Sequence, residues 1–347
     1  MTYIGEVLET TRRARSMTQE QLADLVGMTQ AALSRYEKGM RDPDEEVVAR
    51  LAEALGVTTR FFQHAGRSKG AMAVDVHMRR RQTARPTVWK QLEAQLNVYR
   101  MHTSLLFEEV SLRAEQYVPT FDPIEVRPSD AARMVRMQWR MPVGPVRHLM
   151  RWIEAAGCVV FEDDFGTARV DGMSQWVGEH PVIFLNRSAP TDRKRLTMAH
   201  ELGHLVLHAT DVVEDMEQQA TEFAAEFLMP MDVIKPQLRD LRIGRLHDLK
   251  REWGVSMQAI VERAFHARLM TAQGRTNFYK MISIKGWRTQ EPVSEELSLE
   301  TPALPQIIGQ SLAARGFSDE EIAHLAGFAT AKLNALFPSG PSPLRAV

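Results

Sequence analysis

The chain has 347 residues, 44% of them hydrophobic and 25% charged, with a formal net charge of −1 and one cysteine. At roughly 100–200 residues per domain it holds two or three compact units, and near-zero charge excludes nucleic-acid binding by bulk charge, although a local basic face can hide in a neutral average. Cys158 alone excludes an internal disulfide and zinc sites of four thiolates, or of two thiolates and two imidazoles, so any metal must be held mainly by His, Asp or Glu. No run of about 18 apolar residues occurs, and no basic stretch followed by an apolar one opens the chain. The expectation is a cytoplasmic protein without a membrane partner.

In chain order, apolar spacing predicts short helices over Ile4 to Ala14, Thr18 to Val26, Thr29 to Lys38 and Glu45 to Leu55. Thr18 and Gln21 form a capping box, Gly27 permits a turn and Thr29 caps the next helix. Leu33 and Tyr36 then face inward while Gln30, Ala31, Ser34 and Arg35 face out. This is the pattern of a helix-turn-helix, whose second helix enters a DNA major groove by its N-terminal residues. Residues 12–41 hold six basic and three acidic side chains, while residues 1–70 hold ten of each. Positive charge therefore sits where phosphate would lie.

Ala65 to Gly70 reads as a linker, and a long helix over Thr87 to Gln116 is expected to join two domains, ended by Pro119 and Pro123. A further helix runs from Ser129 to about Trp139. Cys158 to Phe161 and Val182 to Leu185 are short apolar runs that suit strands, and the second is a candidate edge to which a substrate peptide would add. Helices over Arg193 to His208 and Glu214 to Leu228 follow, with Pro230 stopping the latter.

The sharpest signal is His200-Glu201-Leu202-Gly203-His204. Residues four apart share one helix face, so both imidazoles can chelate one ion while Glu201 stands beside its water as general base. Two imidazoles leave a third protein ligand to be found. Glu217, at the start of the next helix, is the candidate, with Glu214, Glu222 and His208 as rivals. His208 would lie about 6 Å further along a straight helix and suits a supporting or packed role better. Tyr117 and His180 are candidates for an oxyanion stabiliser, and Trp152 and Trp176 read as packing residues.

Two resemblances join here. "RRARSMTQEQLADLVGMTQAALSRYEKGMRDPDEEVVARLAEALGV" resembles the Xre/Cro-type repressor domain, which implies Gln19 on phosphate and Thr29, Gln30, Ala31, Ser34 and Arg35 along the operator. "RLTMAHELGHLVLH" with "EQQATEFAAEFLMP" resembles the gluzincin-like ImmA/IrrE metallopeptidases over about residues 131–264. That resemblance implies His200, His204 and Glu217 as ligands of Zn2+, with Mn2+ also fitting, and Glu201 as general base. Thr221 departs from it, since the family has Asn or Asp there to orient a ligand.

The C-terminal third repeats the small helical module. Leu246 to Ala264 has a helix-turn-helix-like pattern. At an offset of 300, Thr18, Leu22, Ala23, Gly27 and Leu33 fall on Ser318, Ile322, Ala323, Gly327 and Leu333, while Gln30 and Arg35 become Thr330 and Ala335. The inward positions agree and the outward ones do not, which suits protein contacts rather than a second DNA reader.

The expected fold is mainly α with a small β-sheet (α+β). Residues 1–65 are read as the helix-turn-helix domain, 66–128 as linker and connecting helix, 129–235 as the metallopeptidase-like core, 236–285 as a helix-turn-helix-like subdomain, and 286–347 as a helical region with a frayed tail. The functional expectation is a transcriptional regulator, homodimeric on a double-stranded DNA operator. Its zinc-dependent peptidase cleaves or binds a repressor-type protein in a stress or mobile-element response. The alternative is a non-enzymatic repressor or antitoxin whose peptidase-like domain grips a toxin or senses a ligand.

Overall fold

The computed structural model describes residues 4–64, 86–111, 114–209 and 213–340. The expected linker over Ala65 to Gly70 lies outside them. As expected, the protein is mainly helical with one small sheet.

Five helices open the chain: α1 (Ile4–Ala14), α2 (Gln19–Leu25), α3 (Gln30–Glu37), α4 (Glu45–Leu55) and α5 (Thr59–His64). Their starts follow from capping. Thr18 accepts from Gln21 N–H in a reciprocal box, and Thr29 and Asp44 cap α3 and α4. Leu8, Leu22, Leu33, Leu51 and Phe61 fill the core between them. A Cβ on Gly5 would lie 2.3 Å from Tyr36 O, so only glycine lets α1 cross the end of α3 this closely. Arg12 and Glu37, both buried, close the same crossing with a two-pronged pair at 2.6 and 2.8 Å.

Helix α6 (Pro86–Glu109) ends seven residues before the expected Gln116. Gln116 belongs to the main body instead, where its N–H donates to Ala155 O at 3.0 Å. α6 belongs to two cores. Val98, Met101 and Leu105 pack into the five-helix unit, while Leu92, Leu96 and Leu106 pack against the sheet.

The sheet has the order β1-β3-β2, from β1 (Val159–Asp163), β2 (Gly172–Val177) and β3 (His180–Asn186). β3 is central, parallel to β1 and antiparallel to β2. It is therefore not the edge at which a peptide could add, contrary to the sequence expectation. The reason was in its composition: Pro181 to Leu185 are apolar without alternation, which suits a strand buried on both faces. The edge beside the metal-binding motif is β2, whose polar sequence gave no strand signal.

One sheet face carries Val159, Phe161, Val182 and Phe184 and is covered by α6 together with α15 (Leu304–Ala314) and α16 (Asp319–Leu325). The other carries Val160, Ile183 and Leu185. It packs on α7 (Pro128–Gln138), α8 (Leu149–Ala155), α9 (Thr191–Leu207) and α10 (Met216–Leu228). α11 (Met231–Ile234) follows; α12 (Ile243–Trp253), α13 (Met257–His266) and α14 (Ala272–Ile284) then complete this larger core through Trp253, Ile260 and Ile282.

The C-terminal module copies α2 only in part. Ser318 and Glu321 repeat the capping box, but the segment matching α3 shrinks to one 3-10 turn, Ala331–Leu333. Its turn bonds to the N-terminal unit instead: Thr58 N–H donates to Gly327 O (2.9 Å) and Ala329 N–H to Gly56 O (3.1 Å). His102 of α6 stacks on Phe328, ring centroids 3.7 Å apart, and lies tilted against Phe61 at 4.6 Å. As far as Gly340 the tail lies along α15, with Pro338 O against Gly309 and Gln306 donating to Gly340 O at 2.8 Å.

Candidate metal centre and DNA-reading helix

Two periodicities put Glu201 beneath the edge strand. Along α9, Thr197, Glu201 and Leu205 recur every four residues, about 6 Å. Along β2, Gly172, Ser174 and Trp176 recur every two, about 6.6 Å. The rows match. A Cβ on Gly172 would lie 2.5 Å from Thr197 Cγ2, Ser174 Oγ lies 2.8 Å from Glu201 Oε2, and Trp176 Nε1 donates to Leu205 O at 3.1 Å. Trp176 is thus a packing residue, and Trp152 likewise lies against the larger core.

The neighbouring row of α9 is His200, His204, His208. α10 runs antiparallel to it, and the two backbones come close at Gly203, where a Cβ would lie 3.2 Å from Ala220 Cα. The close approach brings Glu217 onto the histidine pair. His200 Nε2 is 3.1 Å from His204 Nε2, and the Glu217 carboxylate oxygens are 3.4 Å from the former and 3.5 Å from the latter. The three donor atoms lie within 4.8 Å of one another. Two neutral nitrogens and a carboxylate oxygen converging from two rigid helices are a donor set that fits zinc.

Of the rival third ligands, Glu222 lies exposed on another face of α10, along a cavity of about 1020 Å³ beside Thr197 and Thr221. Among the described residues Glu214 is not part of the cluster. His208 points its Nδ1 at His204 Nδ1 (3.0 Å), not at the donor cluster. Thr221 Oγ1 donates to Glu217 O (2.8 Å) and sits 3.4 Å from His200 Nδ1, the place where the family's Asn or Asp would orient that ring. His180 packs on Phe107 at 4.2 Å, and the exposed Tyr117 offers its carbonyl to Gln138 and Trp139. Among the described residues neither hydrogen-bonds the cluster. Sequence reasoning missed Ser174; only its place on a strand two residues from Trp176 marks it.

In the N-terminal unit, Thr29, Gln30 and Ala31 are exposed at the start of α3 and Arg35 in its last turn, and Gln19 and Ser34 are half-buried. Gln30 Nε2 donates to Gln19 Oε1 (2.5 Å) and Gln19 Nε2 to Glu37 Oε2 (2.7 Å), so the glutamines are fixed through the buried Arg12–Glu37 pair. The contacts with the C-terminal module fall on Gly56 to Phe61 and leave α3 uncovered.

Fold and site together define a chain that mounts a helix-turn-helix reader beside a His-Glu-x-x-His helix with a converging glutamate. Residues 8–62 match the family model of the helix-turn-helix, and residues 153–265 match the IrrE N-terminal-like domain of the M78 peptidase family. Over 58 residues the chain is 35% identical to the SPbeta prophage-derived uncharacterized HTH-type transcriptional regulator YonR of Bacillus subtilis strain 168. That match covers 17% of this chain and 54% of the relative, so the chain spans about half the length of the curated relative it matches. The protein therefore joins an Xre-type helix-turn-helix domain to an ImmA/IrrE-type domain. Among the described residues no helix is long and apolar enough to cross a membrane.

Proposed function

We propose that the protein is a cytoplasmic DNA-binding regulator whose ImmA/IrrE-type domain is a metal-dependent endopeptidase acting on a repressor-type protein, in a stress or mobile-element response. The convergence of His200, His204 and Glu217 beside Glu201 carries this reading. His200 Nε2, His204 Nε2 and the Glu217 carboxylate would hold zinc, or manganese in its place. When bound, such an ion supplies Lewis acidity for water activation and carbonyl polarisation.

The remaining chemistry belongs to the chain. The Glu201 carboxylate takes the attacking water's proton and returns it to the leaving amine, a role that contributes about 10²–10⁴-fold in rate. Ser174 holds Glu201 from the edge strand. An extended substrate would add to β2, whose antiparallel pairing with β3 leaves it at the sheet's rim next to α9. Gln19, Thr29, Gln30, Ala31, Ser34 and Arg35 would meet a double-stranded operator, and a homodimer would place two reading helices on successive half-sites.

The test compares purified protein with Glu201→Gln and His204→Ala, measuring zinc content and cleavage of itself or of a co-encoded repressor. Zinc absent from His204→Ala, with cleavage lost in both variants, supports the reading. Intact operator binding with no Glu201-dependent cleavage replaces it with the alternative, a non-enzymatic repressor or antitoxin that grips a toxin or senses a ligand.

A further inference from the structure

Behind His204 runs a chain of hydrogen bonds that the catalytic reading does not use. His204 Nδ1 lies 3.0 Å from His208 Nδ1, His208 Nε2 lies 2.9 Å from Gln219 Oε1, and Gln219 Nε2 donates to Asp215 Oδ1 at 3.1 Å. His208 is buried, and its own backbone N–H donates to His204 O at 2.9 Å as α9 ends.

The protons in this chain can be placed from one end. His204 presents Nε2 to the donor cluster, so to ligate there that nitrogen must be bare and Nδ1 must carry the proton. His208 Nδ1 must then accept, which puts the His208 proton on Nε2. Gln219 Oε1 accepts that proton, and its amide nitrogen donates to the Asp215 carboxylate. Four side chains at the facing ends of two helices thus agree on one tautomer of the ligand.

We propose that His208 is a positioning residue of the metal centre: with Gln219 and Asp215 behind it, it locks His204 as the Nδ1–H tautomer and raises the basicity of Nε2. The proposal rests on the reading of His200, His204 and Glu217 as metal ligands. An imidazole here does what a carboxylate or carbonyl does behind most ligating histidines, whose loss costs about 10–100-fold in metal affinity.

The experiment is zinc titration of the full chain against a chromophoric chelator, for wild type, His208→Leu, His208→Asn, Gln219→Leu and His204→Ala. His208→Leu should weaken zinc by about 10–100-fold. His208→Asn, whose Oδ1 takes the place of Nδ1 as acceptor, should recover most of that loss. Gln219→Leu, at a half-buried position, should weaken zinc by a smaller factor and covers the case in which His208→Leu does not fold. Affinity of His208→Leu within about twofold of wild type overturns the proposal while leaving the metal site standing, and so does Asn performing no better than Leu, since packing alone would then explain the loss. If wild type takes up no zinc, or as much as His204→Ala, the underlying metal reading falls and the proposal with it.

Discussion

His102 offers a pH test of how the reader is mounted. Its ring is fully buried between Phe61 of the N-terminal unit and Phe328 of the C-terminal module, with Nδ1 2.7 Å from Ala326 O. Burial pushes its pKa down from 6.5 to about 3; the Ala326 carbonyl opposes that shift and the Arg15 cation adds to it. The folded state thus holds a neutral ring, whereas an unfolded chain protonates it below about 6.5. The folded pKa is the lower one, so this contribution is complete above about pH 6.5 and is lost as pH falls from there toward about 3. Each unit in that window costs about 1.4 kcal/mol, so about 2 kcal/mol is gone by about pH 5. His102→Phe keeps the aromatic stack and cannot titrate. At about pH 7.5 it leaves the Ala326 carbonyl without its donor, a cost of about 1–3 kcal/mol, and removes Nε2, which is buried without a partner among the described residues, so the two changes oppose each other. Urea unfolding of both proteins at about pH 7.5 and 5 isolates the effect, since the other titrating groups are common to both. Wild type should lose about 2 kcal/mol more than His102→Phe between the two conditions. Equal losses would refute the assignment of a neutral, desolvated His102 at this junction.

Gly203→Ala adds a methyl 3.1–3.2 Å from Phe223 and the Ala220 backbone. The helix-propensity gain of about 1 kcal/mol is set against about 1–3 kcal/mol of overpacking, so a lowered melting midpoint and weaker zinc uptake are expected. A melt at or above wild type would show that α10 yields freely. Lys250→Met leaves Asp192 and Glu291 buried without the ammonium that bonds both, at 2.7 and 2.9 Å. Loss of one partner from such a cluster costs about 3–5 kcal/mol, and a denaturation midpoint unchanged from wild type would contradict that accounting. For the reader, Arg35→Ala should lower the slope of log affinity against log salt by about 1 on duplex DNA, while Gln30→Ala should weaken operator binding without changing the slope. The opposite pattern would place Arg35 on bases and Gln30 on the backbone.

What the sequence made legible was whatever local chemistry dictates. The capping box at Thr18, the turn at Gly27 and the four-residue spacing of His200 and His204 are decided within a few residues, and the structure has them where the spacing put them. The placement of Glu217 needed more, because it depends on two helices touching at Gly203, and the glycine gives that contact no pattern of its own. What stayed hidden is set by strand order. Val182 to Leu185 showed an unbroken apolar run, and such a run argues for the centre of a sheet rather than its rim. Gly172 to Val177 gave no strand signal because Gly172, Ser174 and Trp176 face α9, where a glycine, a hydroxyl and an indole N–H suit a helix carrying Glu201 better than three β-branched residues would. The same requirement that hid β2 therefore explains it: a strand that must pass over a helix at a 2.5 Å Cβ clearance and bond a buried carboxylate cannot also have an ordinary strand sequence.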